Sequence, residues 1–410
     1  MAIQVLHVSP VLPTDVCTQA VALASREWLS KLYTSTAINA QVGAGRLLAR
    51  WMDRRSVAIC SDRLRAVVLA DCMEKWHLLV GRSRVEATDA RFRTVDRAAS
   101  MEVGSETDAV YCREDAAYET FRRAGDAGIP RIYDLPTAHF SVTRSLVSVE
   151  AECFPELADS FSIQEEYTPQ RLSRKEAELY SADHILCPSQ YVKRSLVAAG
   201  LSGDNIHVLP FGCNPSGLLR LPEKRDNIVL YVGQISARKG VHRLLRVWKR
   251  LGAHRSHRLR LIGAMRLPRT YLNEYKGLYQ HIPEVSRQNV MDQYATAKLL
   301  VANSMSEGMA VVIPEALSAG TPVIATRNSG GEEIITENEN GLLIDYGDDD
   351  ALATAIEGLL SSSERLAYMS DKASKIARAW TWDDYARGFI ERMHSILNGV
   401  DMGAPERVSL

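Results

Sequence analysis

Paired cysteines, long apolar runs, biased tracts and an excess of one charge are all missing from this sequence, and each absence removes a class of protein. The seven cysteines (Cys17, Cys60, Cys72, Cys112, Cys153, Cys187 and Cys213) stand singly, with no C-x-x-C and an odd total. That argues against a disulfide framework or a cysteine zinc site and for reduced thiols in a cytosolic protein. No stretch of about 18 apolar residues occurs, and "MAIQVLHVSPVLP" lacks a basic segment followed by a long apolar one. Neither a membrane span nor a secretory leader is therefore expected. Without low-complexity or collagen-like sequence the chain should fold, not stay disordered. The formal net charge of -1 gives no global pull toward nucleic acid or an anionic membrane.

What is present is length and alternation. At 410 residues the chain exceeds one ordinary core, since single cores stop growing beyond roughly 250 to 300 residues. Short β-branched runs alternate with segments of helical period, the pattern of parallel sheets covered by helices. In the first half "IQVLHVS", "AVYCR", "PRIYDL", "HILCPS" and "IHVLPFG" read as strands. "VALASREWLSKLY", "DAAYETFRRAGDAG", "QRLSRKEAELYSA" and "SQYVKRSLVAAG" read as helices, and residues 36 to 100 give no clear pattern. A second series runs through "NIVLYVGQI", "LRLIGAM", "LLVANS", "PVIAT" and "GLLIDY". Between the two lies "FGCNPSGLLRLPEKRDN", rich in Gly, Pro and charge and suited to a hinge. The tail from about 398 has no period and is expected to fray.

"SEGMAVVIPEALSAGTPVIAT", residues 306 to 326, reads as a loop turning into a helix. Gly308 permits a close backbone approach, Pro314 belongs in a first turn, and Gly320 supplies a left-handed stop. The helix should start between Ala310 and Ile313, where free N–H groups and the dipole favour an anion such as a diphosphate. Glu307 and Glu315 would flank that anion, each able to accept hydrogen bonds from sugar hydroxyls.

The stretch resembles the Glu-x7-Glu signature of the group 1 (family 4) retaining glycosyltransferases, with "LLVANS" before it and "SGGEEII" and "NGLLID" after it. The resemblance extends through "LYVGQISARKGVHRLLRVWKRL" and "WTWDDYARGFIERMHSIL", and more thinly through "DLPTAHF" and "ADHILCPSQYVKRSLVAAG". It implies the α/β GT-B architecture, two Rossmann-like domains facing across a cleft. An acceptor domain would span 1–212 and a nucleotide-sugar donor domain 213–385, with residues 386–410 forming a helix that crosses back and a frayed tail. It implies transfer of a sugar from a nucleotide-diphosphate sugar with retention, without metal or other cofactor, in cytoplasmic glycoconjugate or polysaccharide synthesis. It assigns Glu307 to the donor sugar, Glu315 to the ribose and Lys239 to the diphosphate. Gly233, Gln234, Arg238, Gly308, Met309, Ala310 and Glu333 complete the implied donor site. His139, at a strand end, reads as a donor-sugar or acceptor contact or as a structural histidine.

Two positions depart from that family's pattern. Gln234 stands where an arginine is common, with Arg238 as a possible substitute, and "HVSPVLPTDVCTQA" replaces a Gly-Gly loop. A degenerate member acting as a nucleotide- or glycan-binding scaffold is the alternative. A dehydrogenase using NAD finds no support, because no G-x-G-x-x-G follows the first strand of either half. "GDDDA" reads as a helix cap and not a metal motif. Peripheral membrane contact is one reading of "GRLLARWMDRR" (45 to 55), an amphipathic helix packed on a core the other. The run "LLRVWKRLGAHRSHRLR" lacks the aromatic interleaving of a nucleic-acid site. The acceptor itself stays open.

Overall fold

The computed structural model describes residues 3–39, 56–161, 168–213, 225–283, 285–378 and 380–399. The basic stretch 45–55, most of the expected hinge and the tail beyond 399 lie outside the described residues. The first sheet is built from β1 (Val5–Val8), β2 (Leu29–Thr34), β5 (Leu64–Ala66), β6 (Ala109–Arg113), β7 (Arg131–Asp134), β8 (His184–Cys187) and β9 (Ile206–Val208), while β3 (Ile38–Asn39) and β4 (Ser56–Val57) pair apart. Its order is β5-β2-β1-β6-β7-β8-β9. The second sheet contains β10 (Asp226–Val232), β11 (Arg258–Ile262), β12 (Tyr279–Ile282), β13 (Ala297–Ala302), β14 (Val323–Thr326) and β15 (Gly341–Ile344), in the order β12-β11-β10-β13-β14-β15. The pairings are parallel. Each order grows outward in both directions from its first strand, as in doubly wound dinucleotide folds. The expected α/β class, two Rossmann-like sheets, is what the chain forms.

Most strands sit where their apolar runs predict them, because helices cover both faces and leave few polar positions. One expected helix is wrong. "VALASREWLSKLY" was read as one helix, yet the helix is Thr14–Ser25 and β2 begins at Leu29. Glu27 turns the chain with φ 61, and Leu29 and Leu32 then pack fully buried beside β1. Pairing with a neighbouring strand outweighs local helix preference here. Asp348, by contrast, caps the helix Asp349–Leu360 as "GDDDA" predicts, its carboxylate accepting the Ala351 amide at 2.8 Å.

Two helices tie the domains together. The last one, Trp382–Asn398, inserts Tyr385, Phe389 and Met393 into the core of the first sheet. Its entry pairs with residues 211–213, which leave the first domain, Cys213 donating its amide to the Trp380 carbonyl and Trp380 its indole N–H to the Phe211 carbonyl. The helix Phe140–Cys153 leaves the first domain and carries Val147, with the following Phe154, Leu157 and Phe161, into the core of the second. At its end the buried Glu150 accepts from His242 Nε2 at 2.6 Å, Arg243 Nε at 2.6 Å and Tyr346 Oη at 2.7 Å.

Although burial alone would raise the Glu150 pKa, these hydrogen bonds lower it from 4.5 to about 2. A carboxyl depressed in the folded state adds stability above its unfolded pKa and loses it as pH falls toward the folded one. The shift corresponds to about 3 kcal/mol. Glu150→Gln should therefore melt well below wild type at pH 7, with the gap steady to about pH 5 and narrowing below about 4.5; thermal unfolding across that range checks it, and a gap independent of pH contradicts it.

Candidate active site in the interdomain cleft

Ligands of open parallel sheets bind beyond the carboxyl ends of the strands, where the strand order reverses. In the second domain that point lies between β10 and β13. The loops leaving these strands are stitched together: the Met305 amide donates to Arg238 O at 3.0 Å, and Asn303 Nδ2 to Gly240 O at 3.2 Å. Gly240 has φ 68, and a Cβ there would collide with the Asn303 carbonyl. Only glycine fits so close an approach in that conformation.

The stitching brings Lys239 Nζ into direct contact with Glu307 Oε1. Burial, and then the adjacent Arg238 guanidinium, lowers the Lys239 pKa to about 8. At that value the amine still carries its proton at neutral pH, facing the Glu307 side chain. Glu307 is fixed from behind as its amide donates to Asn328 O at 2.8 Å.

The expected helix is short, Val312–Ser318, with Pro314 in its first turn and Gly320 at φ 69 beyond its end. One expected donor is already engaged: the Ala310 amide donates to Ser329 O at 2.9 Å. Of the residues assigned to the site, Gln234, Arg238, Lys239, Glu307, Gly308 and Met309 line one cleft of about 600 Å³ between the domains. Gly308 closes its floor, where a Cβ would collide with the Pro136 carbonyl of the first domain.

The others stand around the cleft without lining it. Gly233 donates its amide to Ile262 O at 2.9 Å. Glu315 faces Tyr294 Oη at 3.2 Å and Arg287 at 3.5 Å, and burial raises its pKa. Glu333 accepts the Gln190 amide at 2.5 Å across the domain junction, and neighbouring Glu332 pairs with Arg194 at 2.7 Å. His139 caps the helix Phe140–Cys153 between the cleft residues Ala138 and Phe140. Its amide donates to Ser195 Oγ, and Nδ1 accepts the Ser141 amide at 3.3 Å. Nδ1 also lies 2.7 Å from Ser141 Oγ; with Nδ1 accepting the amide, the proton sits on Nε2, which is buried and has no partner among the described residues. Burial lowers its pKa and keeps the ring neutral.

The facing wall escaped the sequence reading. Glu114 and Asp115 follow β6 and meet Lys175 at 2.6 and 2.9 Å, while Arg171 reaches Asp115 at 2.7 Å. Thr137, after β7, donates to Glu114 at 2.8 Å. The available signal was positional, since both loops leave the carboxyl ends of strands. Asp115 adopts φ 69, and no motif marks such a conformation in a residue other than Gly.

Residues 220–376 match the family described as glycosyl transferases group 1. A D-inositol 3-phosphate glycosyltransferase of Corynebacterium urealyticum is 31% identical over 120 residues, 29% of this chain and 28% of that protein. The enzyme of that name from Xylanimonas cellulosilytica is 25% identical over 250 residues, 54% of this chain and 59% of its own. The chain thus spans less than two thirds of either relative. Among solved structures, sucrose-phosphate synthase from Thermosynechococcus elongatus superposes with TM-score 0.61 at 17% identity, over 97% of this chain and 100% of that one. The Anabaena protein HepE, in complex with UDP and glucose, gives 0.62 at 15%, over 96% and 100%. Residues 220–376 thus match the group 1 glycosyl transferases, and the chain as a whole has the GT-B fold of these solved structures.

Proposed function

We propose that the chain is a retaining glycosyltransferase that takes a sugar from a nucleoside-diphosphate sugar. The observation that carries this reading is the Lys239–Glu307 pair on the second-domain wall of the cleft. The ammonium suits a diphosphate oxygen and the carboxylate suits sugar hydroxyls, so a donor lying across the pair would satisfy both. Departure of the nucleoside diphosphate develops negative charge, which Lys239 and Arg238 would meet without a metal. The C1–O bond to the diphosphate breaks as the acceptor oxygen bonds to C1 on the same face, and the acceptor proton passes to the departing phosphate oxygen. His139 Nε2–H, buried beside the cleft, would serve a donor-sugar or acceptor hydroxyl once the ring turns toward the cleft. Glu315, beside Tyr294 and Arg287, suits the ribose. The acceptor would lie against Glu114, Thr137 and Lys175, a wall of both hydrogen-bond senses. The names of the relatives and the UDP and glucose of HepE support a nucleotide-sugar donor and put UDP first among ligands to test.

Calorimetric titration with UDP, GDP, ADP and dTDP should find one that binds tightly, and Lys239→Ala should weaken it about 10- to 100-fold, the value of a charge-assisted hydrogen bond. No binding by any of the four contradicts the reading and leaves the scaffold. In a transfer assay with the matching sugar nucleotide, Glu307→Gln should reduce kcat about tenfold or more while diphosphate affinity stays within about threefold; an unchanged kcat removes Glu307 from the sugar.

A further inference from the structure

The helix Val68–Leu79 is turned inside out. It buries only Ala70 and Asp71, whereas Leu69, Trp76 and Leu79 are 62%, 55% and 85% exposed. With Cys72, also exposed, these residues recur at three- and four-residue steps and form one apolar stripe along the helix. A solvent-facing helix of a globular protein carries the reverse pattern. Single exposed apolar residues need no explanation, but a contiguous patch marks a surface that something covers.

The charge around the stripe says what kind of surface. From residue 65 to 85 the acids are Asp71 and Glu74, and both turn inward: Asp71 accepts the Thr36 amide at 2.7 Å and Glu74 pairs with Arg91 at 3.0 Å. Lys75 and Arg84 remain exposed beside the apolar side chains, while Arg82, also exposed, pairs with Glu86 of the next helix at 3.3 Å. An apolar stripe with a tryptophan, flanked by cations and with both acids of its own helix turned inward, complements the headgroup region of an anionic bilayer. The helix that follows contributes Arg84, Val85 and Thr88 to the rim of the interdomain cleft. A protein seated on this face would hold the first-domain side of the cleft beside the lipid headgroups.

We propose that the exposed apolar face of Val68–Leu79, with Lys75 and Arg84 beside it, docks the protein on an anionic lipid surface. The docking is independent of the transferase reading, because vesicle binding requires no turnover. The test is co-sedimentation with vesicles of phosphatidylglycerol and phosphatidylcholine in equal parts, and of phosphatidylcholine alone. The wild-type chain should bind the anionic vesicles at least tenfold more tightly than the neutral ones. The Leu69→Glu, Leu79→Glu double variant should lose at least tenfold while melting within about 2 °C of wild type, since both positions are exposed. Lys75→Glu, a milder change, should lose at least threefold. Failure of the wild type to sediment with anionic vesicles overturns the proposal, as does undiminished binding by the double variant. A wild-type dimer in lipid-free buffer that the double variant converts to monomer also overturns it, by assigning the face to a second copy of the chain.

Discussion

Everything in the cleft depends on the contact of one glycine backbone with the opposite domain. The Gly308 carbonyl accepts the Ser189 hydroxyl at 2.5 Å, and its Cα lies so close to Pro136 that no side chain fits. A buried serine hydroxyl and a buried carbonyl that satisfy each other remove the desolvation cost either would carry alone. Around this point Glu333 accepts the Gln190 amide, Tyr191 reaches Ser306 Oγ at 3.0 Å, and Thr143 reaches it at 3.3 Å. Two rigid sheets thus meet at the turn that carries Glu307, which fixes the width of the cleft where chemistry would occur.

The rest of the architecture keeps that meeting in register. Phe140–Cys153 is capped by His139, whose amide is held by Ser195, and carries Glu150 in its last turn, anchored by His242, Arg243 and Tyr346. It is a strut rooted in both domains. Trp382–Asn398 returns the compliment with Phe389 against Tyr111, ring centres 5.4 Å apart. Each core borrows side chains from the other half of the chain, so the domains are not independent units. The charges facing the cleft are largely paired, Lys239 with Glu307 and Lys175 with Glu114 and Asp115. A ligand entering there exchanges one set of charge-assisted bonds for another, without needing to desolvate bare ions.

The sequence revealed the sheets because their strands are buried on both faces and read as apolar runs; "AVYCR" coincides with β6. It revealed the Glu307 turn because Gly308, Pro314 and Gly320 punctuate it with definite backbone demands. It misread "VALASREWLSKLY" because a strand with Leu29 and Leu32 three apart mimics a helical face. The motif implies a donor role for Glu333, and the structure adds a contact that no motif shows: its carboxylate accepts the Gln190 amide of a helix in the other domain, which depends on tertiary docking. The Glu114, Asp115, Arg171 and Lys175 wall joins residues some sixty positions apart, beyond any local pattern. The outward-turned stripe of Val68–Leu79 has a helical period either way; only burial tells which face is inside.

The central claim is that the cleft holds a nucleoside diphosphate on Lys239, and a crystal structure with the nucleotide selected by titration tests it most directly. The account predicts that Lys239 leaves Glu307 and places Nζ within about 2.7 to 3.2 Å of a diphosphate oxygen, beside Gly308. A diphosphate bound elsewhere, or bound here with Lys239 still on Glu307, would contradict it.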